Sequence, residues 1–234
     1  MRCKVVVDII QTGRYDCRYS DQTRHDENEK TMSAKNPDLT RAKLLEAGFH
    51  EVHEHGFRSA SIESILARAG VTKGALYHHF PNKQALGYAL VEEIIGKFIV
   101  ERLLTPLRHT DDPIAVLQQH GLDMVQDHGD EACAHGCPLN NLAQEMSNED
   151  EGFRQRIEAV YRRLQEGVAA ALRRGQAAGT VRADIEPDDI AAFYLASWSG
   201  IMGAAKSSQN PELMRRLIVT GNDFLDTLRA LPLH

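Results

Sequence analysis

From Asp38 onward the apolar residues settle into three- and four-residue steps. Leu39, Ala42, Leu44-Leu45, Phe49 and Val52 make one stripe, and Gly56 supplies a stop. This predicts a first helix whose start is capped by Asp38 or Thr40. Ser61 then stands as an N-cap before a short second helix with Ile62, Ile65 and Leu66 on its apolar side, ended by Ala69-Gly70. Val71-Thr72 reads as a turn, and Thr72 as the cap of a third helix, Lys73 to His79, whose Leu76 and Phe80 face one core. Pro81-Asn82 breaks the chain. A long amphipathic helix follows from Lys83 to about Leu104, with Pro106 as its end. Further helices are predicted at about Asp112–His128 with Pro113 in the first turn, Pro138–Met146, Gly152–Gly179, Asp188–Ala205 and Pro211–Leu231. The pattern as a whole predicts an all-α chain of about nine helices.

The first thirty residues differ. A short β-prone run, Val5-Val6-Val7-Asp8-Ile9-Ile10, precedes a polar stretch with no apolar segment of signal-peptide length. Residues 1–31 are expected to be a disordered extension or an over-long start before Met32, with a small ordered arm as the alternative. Cys3 and Cys17 are then incidental.

Two short helices joined by a tight turn containing Gly are the layout of a helix-turn-helix, in which the second helix enters the major groove. Here its leading residues are Thr72, Lys73, Gly74 and Ala75, with Tyr77, His78 and Lys83 suited to phosphate oxygens at its far end. A solvated charged face on a small helical domain is the competing reading. Charge bears on the choice. The 234 residues carry 27 Lys+Arg against 33 Asp+Glu, net −6, which taken as a mean argues against a polyanionic partner. Divided along the chain, residues 32–83 hold net +2 and residues 84–234 net −8, so only the head remains able to meet nucleic acid.

The stretch RAKLLEAGFHEVHEHGFRSASIESILARAGVTKGALYHHFPNKQAL resembles the N-terminal domain of the TetR/AcrR family of bacterial transcriptional repressors. Gly70, Gly74, Leu76, Tyr77, Phe80 and Lys83 stand at family positions. Ser59-Ala60-Ser61 replaces the family's usual threonine pair and keeps the capping chemistry. The resemblance implies a helix-turn-helix head at 32–83 and a ligand-binding, dimerising body at 84–231. It implies that Thr72 and Lys73 meet bases or adjacent phosphates, and that Tyr77, His78 and Lys83 clamp the backbone. Ser59, Ser61 and Arg41 become further phosphate contacts. The expected partners are operator DNA, a second copy of the chain and a small organic effector, in a cytoplasmic protein with no membrane attachment.

Three features of the body carry chemistry. Ala192, Ala196, Ser199, Gly200 and Gly203 form a stripe of small residues, read as a dimer interface or as intrachain packing. Around Cys133-Ala-His135-Gly136-Cys137-Pro138, proline in the first helical turn places Cys137 at the N-cap, where the helix dipole is expected to lower its thiol pKa. The run Gly-Cys-Pro-Leu-x-Asn-Leu is similar to one in a subset of TetR-like regulators with a cysteine beside the effector cavity. Cys137 and Asn141 are accordingly read as pocket wall, as a redox or electrophile sensor, or as plain packing. Phe98, Met124, Phe193 and Trp198 complete the expected pocket by helical phase. Cys-x-His-x-Cys lacks a fourth zinc ligand, so no metal and no cofactor is expected. With no P-loop, GxGxxG or GxSxG, an enzyme is not expected either. The regulator is expected to act as a repressor; a thiol-based sensor through Cys137, or an activator whose body binds a protein, is the alternative.

Overall fold

A computed structural model describes residues 37–230. The expectations for residues 1–31, including Cys3 and Cys17, lie outside the described residues. Among the described residues nine helices follow in order: α1 (Pro37–His55), α2 (Ile62–Ala69), α3 (Lys73–His79), α4, α5 (Pro113–His135), α6 (Pro138–Met146), α7 (Glu151–Ala178), α8 (Pro187–Ser208) and α9 (Pro211–Asp226). α4 is continuous through Lys83–Ala89, a π-helical turn at Leu90–Ile95, and Gly96–Leu107. No strand forms among the described residues; Val181 and Arg229 make an isolated antiparallel bridge.

Local chemistry sets most of the boundaries. Ser61, Thr72, Asn82, Asp112, Asp150 and Asn210 cap their helices with side-chain oxygens. Gly70 and Gly179, at φ 65° and 75°, end α2 and α7 in the left-handed conformation that a side chain disfavours. Several predicted ends move, and α9 stops at Asp226, short of Leu231. Asp38 and Thr40 do not cap α1, because the helix already begins at Pro37. Pro106 does not stop α4: it sits in the last turn, and the helix ends at Leu107. α5 runs to His135 instead of His128, through Gly129-Asp130, and stops at Gly136 with φ 75°.

Two main cores divide the interior. The first joins Leu44, Phe49, Ile65, Leu76 and Phe80 of the head to Leu86, Leu90 and Ile95 of α4, and continues into Leu139, Leu142, Phe153 and Ile157. The second packs Leu103, Ile114, Leu117, Leu164, Leu172, Tyr194 and Leu225. A smaller cluster of Ala132, Cys133, Met202, Ala205, Met214 and Ile218 lies beneath α8 and α9.

Candidate functional site

α3 is seven residues long and is held by one face. Leu76 is fully buried and Phe80, at its C-cap, nearly so, while Thr72, Lys73, Gly74, Tyr77 and His78 are exposed and Ala75 is half-buried. The Thr72 hydroxyl oxygen accepts from the Ala75 N–H at 3.2 Å and fixes the start of the helix. Within the chain a Cβ on Gly74 would approach only the Thr72 Oγ1, at 3.9 Å, so no internal contact demands a glycine there. Ser61 caps α2 through the Ser64 N–H (3.2 Å), and its own N–H donates to the buried Glu51 carboxylate (3.0 Å). Ser59 is exposed beside it.

Arg41 and Lys83 stand differently from the other predicted DNA contacts. The Arg41 guanidinium lies over the Phe80 ring and makes a two-pronged pair with Glu93 of α4 (2.5 and 2.7 Å). Lys83 donates from Nζ to the Arg58 carbonyl at 3.1 Å, over the Phe57 ring. Both cations are thus engaged within the chain and fasten α4 to the head.

The head is also gripped from below. Glu145 of α6 accepts the N–H groups of Phe57 (2.8 Å) and Arg58 (2.7 Å), beside Gly56 at φ 81°. Tyr88 donates to Asp150 at 2.7 Å. From the last turn of α1, the buried His53 reaches the Gly136 carbonyl with Nε2 (2.9 Å) and faces Glu131 with Nδ1 (3.4 Å).

That contact opens onto a cavity of about 110 Å³. Its apolar wall includes Phe98, Leu103, Leu139, Leu164, Trp198 and Met202; its polar groups are His53, Arg102, His120, His128, Glu131 and Tyr161. Of the residues predicted from sequence, Phe98, Met124, Cys137 and Trp198 line it. Asn141 does not: its amide donates to the His135 carbonyl at 2.7 Å and holds the loop before α6. Phe193 lies on the surface, 53% exposed, edge-on to Phe224. Helical phase misplaced it because it takes α8 as having a single inner face. His53, Arg102, His120, Glu131 and Tyr161 were missed. His53 alone carried a signal, four residues after Phe49 on the buried side of α1; the others meet only through tertiary packing.

Burial sets the ionisation of this wall. It pushes His120 down to about 4, so the imidazole is neutral at pH 7. Cys137 does occupy the N-cap of α6, but its thiol makes no capping hydrogen bond. Desolvation raises its pKa, and the pull of the Asn140 and Leu139 N–H groups is smaller. The expected lowering by the helix dipole is therefore reversed. No group of three metal-ligating side chains occurs among the described residues.

On α8, Ala192, Ala196, Gly200 and Gly203 face solvent, and a Cβ on either glycine would meet open space. Ser199 turns inward, donating to the Leu195 carbonyl (3.2 Å) and lining the cavity. Phe193 with Val219 and Phe224 of α9 adds large apolar side chains to the exposed face. No helix among the described residues is long and apolar enough to cross a membrane.

Residues 44–90 match the family model for bacterial regulatory proteins of the tetR family, and residues 114–220 match the tetracyclin repressor-like C-terminal domain. An uncharacterised HTH-type transcriptional regulator of Lactococcus lactis is 31% identical over 142 residues, 60% of this chain and 72% of that one. The HTH-type transcriptional repressor DhaR of a Mycobacterium species is 26% identical over 172 residues, 74% of this chain and 85% of that one. A regulatory protein TetR from Rhodobacter sphaeroides superposes with a TM-score of 0.71 at 28% identity, over 79% of this chain and 98% of that structure. With a helix-turn-helix whose reading face points outward, a helical body behind it, and family models matched in both parts, the chain belongs to the TetR family of DNA-binding transcriptional regulators.

Proposed function

We propose that the protein is a homodimeric, cytoplasmic repressor that leaves a palindromic operator when a small organic molecule fills the cavity. The observation that carries this reading is the position of His53: a residue of the first head helix forms part of the cavity wall and bonds the Gly136 carbonyl beside Cys137. A ligand there touches head and body at once, so a difference in its affinity for two head positions shifts the population between them.

In this scheme residues 32–83 act as the reading head and 84–231 as the effector and dimerisation body. Thr72, Lys73, Gly74 and Ala75 approach base edges or adjacent phosphates, and Tyr77, His78, Ser59 and Ser61 contact backbone oxygens. Arg41 and Lys83 serve the DNA chiefly by orienting the head, since their charges are already engaged. Exposed Ala192, Ala196, Gly200 and Gly203, with Phe193 and Phe224, form the surface where two copies meet. Two-fold pairing sets the reading helices about 34 Å apart, one turn of DNA. The repressor sense is supported by the similarity to DhaR, a repressor by name.

Operator selection from a random DNA pool, followed by release assays with a small-molecule library, tests the scheme. The expected outcome is a two-fold symmetric site bound by a dimer and released by a compound that loses its effect in Trp198→Ala. An asymmetric site bound by a monomer, or release that ignores Trp198, would sink it.

A further inference from the structure

The body holds a second space beside the cavity. It is a groove of about 290 Å³ between α5, α8 and α9, with Leu117, Phe193, Ile201, Ile218 and Phe224 in its wall. The cavity itself measures about 110 Å³. Among the described residues Trp198 alone lines both. The indole is therefore the partition between them.

Contacts from both sides hold that partition. The Trp198 ring stands edge-on to His120 of the cavity wall, 5.1 Å between centroids, and to Tyr194 of the groove wall, at 6.3 Å. The Tyr194 hydroxyl lies 3.2 Å from His120 Nδ1, so the two rings that flank the indole are tied to each other. Edge-on aromatic contacts of this kind fix the orientation of a ring as well as its burial.

The other large cavity walls are backed by packed side chains. Leu139 belongs to the first core, Leu103 and Leu164 to the second, and Met202 to the cluster beneath α8 and α9. Close-packed interiors yield little, and shortening a side chain there only enlarges the same cavity by the volume removed. Trp198 is partly buried and has the groove behind it, so shortening it joins two spaces. Alone, the cavity lies below the roughly 300–1,000 Å³ of drug-sized sites; joined to the groove, it enters that range.

We propose that Trp198 is the specificity-determining residue of the cavity: its indole sets the greatest length of molecule that the body accepts. With the indole in place the site takes compact molecules. With a shorter side chain at 198, cavity and groove become one elongated apolar site that takes longer ones. This assignment rests on the effector reading above and deepens it, since selection by length in an apolar pocket follows from which wall closes it.

The test uses the full chain and two probes that are uncharged at pH 7, phenol and 4-phenylphenol, titrated by calorimetry. Wild type is compared with Trp198→Ala and with Phe98→Ala, which shortens an aromatic cavity wall that the groove does not touch. Affinity for 4-phenylphenol should rise at least about tenfold in Trp198→Ala and stay within about threefold of wild type in Phe98→Ala. Phenol, short enough for the cavity alone, should gain less than about threefold in Trp198→Ala. Trp198→Leu keeps an apolar side chain at the site; it should show a smaller gain for 4-phenylphenol, and it decides the matter should the alanine variant fail to fold. No gain in either Trp198 variant, an equal gain in Phe98→Ala, or wild-type affinity for 4-phenylphenol matching that for phenol would overturn the assignment. A gain in Trp198→Ala whose bound 4-phenylphenol leaves operator affinity unchanged would uphold the length assignment and remove the effector reading. Operator release by a compact molecule in wild type, with no gain in the Trp198 variants, would do the reverse.

Discussion

α3 exposes Thr72, Lys73, Tyr77 and His78 with their outer faces unused, whereas the cavity wall holds His53, Glu131 and most of Arg102 in contacts already made. Both regions are rich in hydrogen-bonding side chains, and they use them in opposite ways. On the head, polar groups cost nothing while they wait in water, so they can stand ready for a partner as large as a duplex. In the body, most polar groups are satisfied or neutral within the chain, since an unmet group in an apolar wall costs about 1–3 kcal/mol. The outer region can therefore hold many waiting groups, and the inner one only a few.

The contrast can be broken most strongly at the one residue on which the outer face depends. Leu76→Ala removes the fully buried anchor of α3 and should cost about 3 kcal/mol in urea unfolding and abolish operator binding. Retained operator affinity would show that α3 is positioned by something other than its core contact. The next effect belongs to the body. His120 has a folded pKa pushed to about 4, below its unfolded value near 6.5, so the unfolded chain binds the extra proton between these values. Stability should be complete above about pH 6.5 and fall by roughly 2 kcal/mol on going to pH 5, measured by urea midpoints. His120→Asn should flatten that slope; an unchanged slope would assign it to other groups. The smallest effect is on the outer face. Tyr77→Phe should leave the urea midpoint unchanged and weaken operator binding about fivefold at fixed salt, the loss of one hydroxyl contact. A shifted midpoint with unaltered DNA affinity would place that hydroxyl among the structural groups instead.

The same division explains what could be read before the structure was known. Ser61, Gly70, Thr72 and Asn82 act on residues within three or four positions of themselves, so the limits of α2 and α3 and the start of α4 were legible from sequence. The misplaced ends arose where long-range packing overrode a local breaker. Gly129 and Pro106 look like stops, yet α5 and α4 continue because neighbouring helices bury His128, Ala132, Leu103 and Leu107. At the site, Phe98, Met124 and Trp198 were recoverable from helical phase and Cys137 from the likeness of its run to that of related regulators, but the phase of α8 gave Phe193 the wrong side. The meeting of His53 with Glu131 and Gly136 spans about eighty positions and has no local signature. Cys137 teaches the complementary lesson. Its place at the helix start was readable, but its ionisation depended on how deeply the loop was covered.

The π-helical turn at Leu90–Ile95 has a consequence of its own. Such a turn closes the Gly96 N–H onto the Val91 carbonyl, five residues back, so α4 holds one residue more than a regular helix of the same length. That surplus rotates everything after it by about 100° relative to an uninterrupted helix. Leu86 and Leu90 can then point into the core shared with the head, while Leu103 and Leu107 point into the second core and Phe98 into the cavity wall. A strictly periodic helix would serve one of these directions at the expense of the other. The single extra residue works as a joint in the gearing, letting one rod mesh with two wheels set at different angles.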